Sequence, residues 1–276
     1  MNAALEIVTH ADLVTIRASS LGELFDCPAR WEAKYIDGKF MPRSGAAQLG
    51  TAVHAGTGIY DASRLPGGSV ASIDDAESVT VDAIYKPSED VVWDEDATRE
   101  DAEKIARALT RRYCETIAPI QRYTGVEVKC ERLDLTDVGI SLTGTTDRVR
   151  ATDGGHGIAD LKTGKTAVQA DGTVKTAGHA AQIAVYELLA EHAMNVPITA
   201  PAQIVGLQTG KTEKAQRVGL GTITDARVTL VGTGEKPGLL EHAGRMMKAG
   251  AFYGNPRSML CGAKFCPIYN TCNFRR

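Results

Sequence analysis

The spacing of apolar residues along the chain changes period part-way. Leu21, Leu24, Phe25, Ala29 and Trp31 recur near helical spacing, and Ser19-Ser20 can cap a helix running to about Tyr35. The residues before it, 1–18, read as an extended arm. After a break at 42–45 a second helix is expected over 46–62, with Leu49, Val53 and Tyr60 as its apolar stripe and His54 on it. Residues 63–75 are rich in Gly, Ser and Asp and read as a loop. A helix over 96–118 opens acidic and turns basic, with Ile105, Leu109 and Tyr113 four apart.

Strand-like patterning then takes over. Strands are expected over 126–135, 140–150 and 157–161, joined by turns at 137–139 and 153–155. A helix follows over 177–193, then strands over 202–208 and 214–220, then a long helix over 223–250 that leads to a cysteine-rich tail. This order predicts an α/β fold with a central mixed β-sheet flanked by helices. The chain shows no internal repeat and no low-complexity segment.

Composition narrows the picture. With 276 residues and 43% hydrophobic content the chain can build one large domain or two small ones. A net charge of −3 gives no global basic field, so any nucleic-acid groove must be local. No apolar run approaches the roughly 20 residues of a membrane span, and Met-Asn-Ala-Ala-Leu-Glu has no signal-peptide pattern. A cytoplasmic, reducing setting with no membrane partner is the expectation. There the six cysteines are expected to be free or metal-bound rather than paired.

Chemistry concentrates in Gly-Thr-Thr-Asp147-Arg-Val and Ile-Ala-Asp160-Leu-Lys162, each near the end of an apolar strand. Two carboxylates can hold a hard divalent cation. Side chains alternate along a strand, so Asp160 and Lys162 share a face and Leu161 points to the other. A lone Asp-x-Lys at a strand end is commonly a solvated pair; Asp147 on the neighbouring strand makes a site of it. Cation, acids and lysine together suit phosphodiester hydrolysis, the lysine steadying the attacking oxygen or the developing charge. On the next helix, Gln182 and Tyr186 lie four apart on one face and can pack beside the site. His54, in Gly-Thr-Ala-Val-His, offers an imidazole that could complete the ligand set.

Cys261-x4-Cys266-x5-Cys272 forms a tight C-terminal cluster. The best fourth ligand is Cys27, which, like Cys266, precedes a proline. Four thiolates can hold zinc or an iron–sulfur cluster, and the lack of paired Cys-x2-Cys knuckles favours the cluster. Cys114 and Cys130, in a helix and a strand, are expected to be small buried residues. A link from Cys27 to the tail would tie the N-terminal helix to the C-terminus.

These motifs, in this order, resemble the RecB-like branch of the PD-(D/E)xK nucleases with an iron–sulfur cluster, which includes AddB nuclease domains, CRISPR-adaptation nucleases and phage-encoded relatives. The resemblance covers nearly the whole chain, and the tail Asn-Pro-Arg-Ser-Met-Leu-Cys261 looks most like phage members. It implies a restriction-endonuclease-like core over about 124–222 and a C-terminal iron–sulfur clasp, within one nuclease domain over 1–276; the helical insertion over about 63–120 could, from its position alone, cap the groove. The resemblance implies that His54, Asp147, Asp160 and the Leu161 carbonyl ligate Mg²⁺ or Mn²⁺, that Lys162 is the catalytic lysine, and that Gln182 and Tyr186 touch DNA or that lysine. Cys27, Cys261, Cys266 and Cys272 would ligate a [4Fe-4S] cluster, with Zn²⁺ as the alternative. Glu131 is a match for the acid often found upstream of the core. One departure is the first gap of the tail, four residues where the family often has two.

The activity so implied is that of a metal-dependent exonuclease on single-stranded DNA or DNA ends, in phage recombination, replication or DNA processing. The chain carries no Gly-x4-Gly-Lys-Ser/Thr loop, so unwinding would need a helicase or recombinase partner; a homo-oligomer is a further possibility. The rival readings are a catalytically inactive nuclease fold that binds DNA or an assembly, and a zinc-stabilised structural module. Arg30, Lys34, Arg148, Lys165 and Lys175 are the candidate phosphate contacts near the motifs, although a solvated surface charge is the commoner fate of each.

Overall fold

The computed structural model describes residues 13–95 and 98–275. Most of the expected N-terminal arm lies outside them, but its last residues form β1 (Val14–Arg17). Helices α1 (Leu21–Asp26) and α2 (Pro28–Tyr35) follow, then the two-residue β2 (Arg43–Ser44) and α3 (Gly45–Ser63), whose first turn is capped by the Ser44 side chain. After α4 (Ile73–Tyr85), β3 (Val91–Val92) and α5 (Arg99–Thr116) come β4 (Tyr123–Leu135), β5 (Ile140–Thr152) and β6 (Gly155–Gly164). The chain continues through α6 (Ala180–Met194), β7 (Ala202–Gln208), β8 (Val218–Ile223), α7 (Ala226–Val231), a small hairpin of β9 (Gly232–Thr233) and β10 (Lys236–Pro237), and α8 (Leu239–Ala249).

One six-stranded mixed sheet organises the molecule, and helices cover both faces. β4 pairs antiparallel with β5 along most of its length. The other edge of β5 is shared. β1 runs parallel to it over Ile140–Thr143, and β6 runs antiparallel to it over Arg148–Thr152. Between those partners, residues 144–147 have no strand on that edge. β6 continues past β5 to pair in parallel with β7, which is antiparallel to β8. Helices α1, α2, α6, α7 and α8 pack on the face that carries Ile158 and Ile204. Helices α3, α4 and α5 cover the face that carries Leu161, Val205 and Leu207. Among the described residues, no helix is long and apolar enough to cross a membrane.

Four expectations need correction. The single helix over 19–35 is two helices, because Cys27 is extended at φ −152° and Pro28, which has no N–H to donate, opens the second. The loop over 63–75 ends early, because Ser72 and Asp75 form a reciprocal capping box that starts α4. The helix over 223–250 is broken by Gly-Thr-Gly-Glu-Lys-Pro-Gly. Gly232 sits at φ +83°, and a Cβ there would stand 2.3 Å from the Lys236 carbonyl oxygen, so α7 stops and a hairpin intervenes. The insertion does not cap a groove: α4 and α5 share a layer with α3 against the sheet.

Candidate active site

The unpaired stretch of β5 is where the chemistry gathers. The β5–β6 ladder ends at Arg148 with Ala159, and beyond it the strands part. Asp147 enters the opening, and its Oδ2 accepts a 2.8 Å hydrogen bond from the Leu161 N–H. Asp160 follows Ala159 on β6, almost fully buried, with Oδ2 2.7 Å from Lys162 Nζ. Alternation puts Asp160 and Lys162 on the α6 face and Leu161 on the α3 face, as expected. On α3, His54 reaches the same opening: Nε2 is 3.0 Å from the Leu161 carbonyl oxygen, and Nδ1 is 3.5 Å from Asp147 Oδ2. On α6, Gln182 Nε2 donates to the Tyr186 hydroxyl at 2.9 Å. Tyr186 packs beside Gly144, where a Cβ would meet its ring at 3.4 Å.

Glu127 on β4 completes the group. Pairing of Val126 with Arg148 and Val128 with Thr146 sets it across from Asp147. His54, Glu127 and Asp147 offer ligand atoms that all lie within 4.8 Å of one another. Reading the sequence missed this residue. Glu131, taken as the upstream acid, instead lies exposed and pairs with Lys129 at 2.6 Å. The one local signal at Glu127 is conformational, a left-handed φ of 49° inside a strand.

Electrostatics divides the two aspartates. Burial works against the Asp147 carboxylate, but His54, the Leu161 N–H and Lys162 outweigh it and hold the group down at about 2. Burial and then the Asp147 charge push Asp160 up to about 6 despite Lys162. Burial opposes protonation of His54, yet the Asp147 and Asp160 charges raise it above its ordinary value. Burial and the same two carboxylates raise the Tyr186 hydroxyl, so it stays a neutral hydrogen-bonding group.

Behind Glu127 lies a buried charge network. Arg148 is fully buried; its Nε donates to Asp61 Oδ2 at 2.6 Å and its Nη1 to Glu127 Oε1 at 3.0 Å. The Tyr113 hydroxyl donates to the same Asp61 oxygen. Arg148 is therefore neither the solvated surface charge expected of it nor a candidate phosphate contact. Arg30 is corrected for the same reason. It is buried, and holds Glu23, Asp26 and Ser258. Lys34 is tied to Glu23 at 2.7 Å. Lys165 and Lys175 are exposed and remain candidates.

A cleft of about 490 Å³ opens beside the site between α3 and β4, lined by Thr51, His54, Ala55, Gly58 and Glu127 among others. Small side chains on that stretch of α3 leave room for a backbone to approach the acids.

At the C-terminal end of α1, Cys27, Cys261, Cys266 and Cys272 all line one small cavity, and all are free thiols. Main-chain N–H groups of Asn255 and Phe274 donate to the sulfurs of Cys27 and Cys272, each at 3.4 Å. Burial first, and then the neighbouring Cys27 and Cys272, push the Cys266 thiol up. Asn255 Nδ2 donates to the Asp26 carbonyl oxygen at 2.8 Å and Ser258 Oγ to Asp26 Oδ2 at 2.6 Å, so the tail is bound to the α1–α2 junction independently of any metal. Four convergent thiols with N–H donors to sulfur fit a thiolate-held metal or cluster. Cys114 and Cys130 are buried in the two cores, as expected of small apolar side chains.

A family model described as the PD-(D/E)XK nuclease superfamily matches residues 16–273. The chain belongs to that superfamily, and its mixed sheet flanked by helices is a restriction-endonuclease-like fold. Membership implies a nuclease that hydrolyses phosphodiester bonds with DNA as substrate, and the superfamily uses divalent metals such as Mg²⁺ or Mn²⁺. No curated protein matches the chain.

Proposed function

We propose that the protein is a metal-dependent DNA exonuclease acting on single-stranded DNA or DNA ends, with a [4Fe-4S] cluster held by Cys27, Cys261, Cys266 and Cys272. The observation that carries the reading is the opening on the β5 edge, where side chains from α3, β4, β5 and β6 converge. Mg²⁺ or Mn²⁺ would be held by His54, Asp147, Asp160 and the Leu161 carbonyl, with Glu127 in reach. Of these groups, His54, Asp147 and Glu127 already bring ligand atoms within 4.8 Å of one another, while Asp160 stands outside that set. When bound, the cation would offset the charge that builds on the phosphate.

The chain's own groups supply the rest. Lys162, a quarter exposed, is held by the Asp160 carboxylate, and its ammonium would steady the attacking oxygen or the developing charge. Gln182 and Tyr186 present a neutral hydrogen-bonding pair from α6 that touches DNA or this lysine. Arg148 fixes the Glu127 carboxylate from behind. One nuclease unit is proposed, with its catalytic core over about 124–222.

A cluster is favoured over zinc because the tail lacks paired Cys-x2-Cys knuckles. The exonucleolytic mode, and a setting in phage recombination, replication or DNA processing beside a helicase or recombinase, rest on the resemblance of the motifs and tail to phage-encoded relatives.

The test is digestion of end-labelled linear DNA and of circular single strands, with Mg²⁺ or Mn²⁺ and with chelator, by the wild type and Asp160→Ala. Metal-stimulated loss of linear but not circular DNA, absent in the variant, is the expected result. Binding without cleavage would instead favour a catalytically inactive DNA-binding fold. Iron analysis and the brown colour of anaerobically purified protein distinguish the cluster from colourless zinc.

A further inference from the structure

We propose that the cavity enclosed by α3, α5 and the ends of β6 and β7 is a nucleobase site, which takes an unstacked base of single-stranded DNA beside the phosphate being cleaved. The inference rests on the hydrolytic reading above and specifies its substrate. The cavity measures about 460 Å³, within the roughly 300–1,000 Å³ of small-ligand sites. Its walls are apolar, formed by Leu49, Trp93, Ala102 and Ile105, with Ala46 at the mouth. Lys165 and Lys211 stand on the rim.

Position ties this cavity to the active site. Thr163 and Gly164, which line it, directly follow Lys162 on β6. Gly50 of α3 presses on Thr163 so closely that a Cβ would stand 2.6 Å from Oγ1. One helical turn further along α3 is His54. A strand whose phosphate lies at His54 thus has this cavity about one helical turn away along α3.

The wall chemistry suits a base. Trp93 lines the cavity with its indole fixed between Gly45, where a Cβ would stand 2.6 Å from Cε3, and Arg99, 5.8 Å from the ring centroid, so a base meets the part of the ring these leave open. Stacking on an aromatic side chain is tolerant of sequence because every base has a π-face. Charge is complementary as well. Lys165 is exposed and has no ion pair among the described residues, while Lys211 pairs only at the surface with Asp101, at 3.2 Å. Asp101 lines the cavity too and offsets Lys211, which leaves Lys165 as the local phosphate contact on a chain of net charge −3. A base held in duplex stacking cannot enter such a cavity, whereas one in a single strand or frayed end can. The cavity would therefore select unpaired ends.

The test uses a labelled single-stranded oligonucleotide carrying one abasic residue at successive positions. Wild-type protein should cleave about tenfold or more slowly when the gap falls at one position relative to the scissile phosphate, and at full rate otherwise. Ala46→Phe, on the exposed first turn of α3, fills the mouth. It should slow the natural strand to the abasic rate and lose the difference between them. A second readout needs no catalysis. The chain has two tryptophans, and Trp31 is buried in the core, so Trp93 reports on the cavity. Oligothymidylate titrated in chelator should quench fluorescence saturably in wild type but not in Trp93→Leu. Cleavage indifferent to every abasic position, or an abasic penalty that survives Ala46→Phe, overturns the inference and leaves the nuclease reading intact. Quenching by DNA that is never cleaved upholds the base site and overturns the nuclease reading instead.

Discussion

The main-chain N–H of Leu161 donates to a side chain, the Asp147 carboxylate, at 2.8 Å, where an ordinary sheet would offer it a carbonyl oxygen. The bond exists because β5 and β6 part after Arg148 and Ala159. It satisfies a buried donor and fixes the carboxylate at once. Asp147→Asn keeps an acceptor oxygen and removes the charge; Asp147→Ala leaves the amide unpaired. Both should lose cleavage and the charge pairing with His54 and Lys162, and the alanine variant should lose about 1–3 kcal/mol more than the asparagine variant. Urea melts of the metal-free variants beside a cleavage assay separate the two effects.

Asp160 carries an opposite liability. Burial and the nearby Asp147 charge push its carboxyl up to about 6, so its ionised form is strained at neutral pH until a cation arrives. Asp160→Asn should therefore be at least as stable as wild type without metal, and inactive. Mg²⁺ or Mn²⁺ should raise the melting temperature of the wild type and leave that of the variant unmoved. A variant that cleaves at the wild-type rate would remove Asp160 from the site.

Arg148 and Asp61 are both fully buried, 2.6 Å apart, and join the helical layer to the strand that carries Asp147. Losing one partner strands the other charge in the core. Arg148→Met should cost about 3–5 kcal/mol, and Arg148→Met with Asp61→Leu should recover part of that loss. Chemical denaturation of the two single variants and the double variant gives the coupling.

Much of this molecule is written in local pattern. β4 to β7 lie close to their expected ranges, because alternation and glycine turns are local signals; Gly139 and Gly155 do adopt positive φ at the two hairpins. Asp160 and Lys162 share a face for the same reason. Glu127 was not legible. In Glu127-Val-Lys129-Cys-Glu131 charged residues alternate like a solvated strand face, and only pairing across from Asp147 separates Glu127 from Glu131. Arg148 looked like surface charge because its partner, Asp61, is distant in sequence. The breaks at Pro28 and at Gly232 to Gly238 were visible as residue types, but continuous apolar spacing on either side hid them.

The junction that carries the cysteine cavity also carries a pH dependence. Burial alone would raise the Glu23 carboxyl, but the hydrogen bonds and charges of Lys34 and Arg30 outweigh it and hold it below its ordinary 4.5. A lowered carboxyl stabilises the fold above its unfolded value, and that stability disappears as pH falls through the folded value. Arg30 also donates to Ser258 of the tail at 3.1 Å, so Glu23 indirectly fixes the segment bearing Cys261. Glu23→Gln should cost about 1.5–3 kcal/mol at pH 7, the range for hydrogen bonds to charged groups. The gap between wild type and variant should stay constant down to about 4.5 and close below it. Thermal melts of metal-free protein in steps from neutral to acid pH measure that gap. A gap that persists after Glu23 is protonated would mean that the side chain acts through packing, with its charge irrelevant.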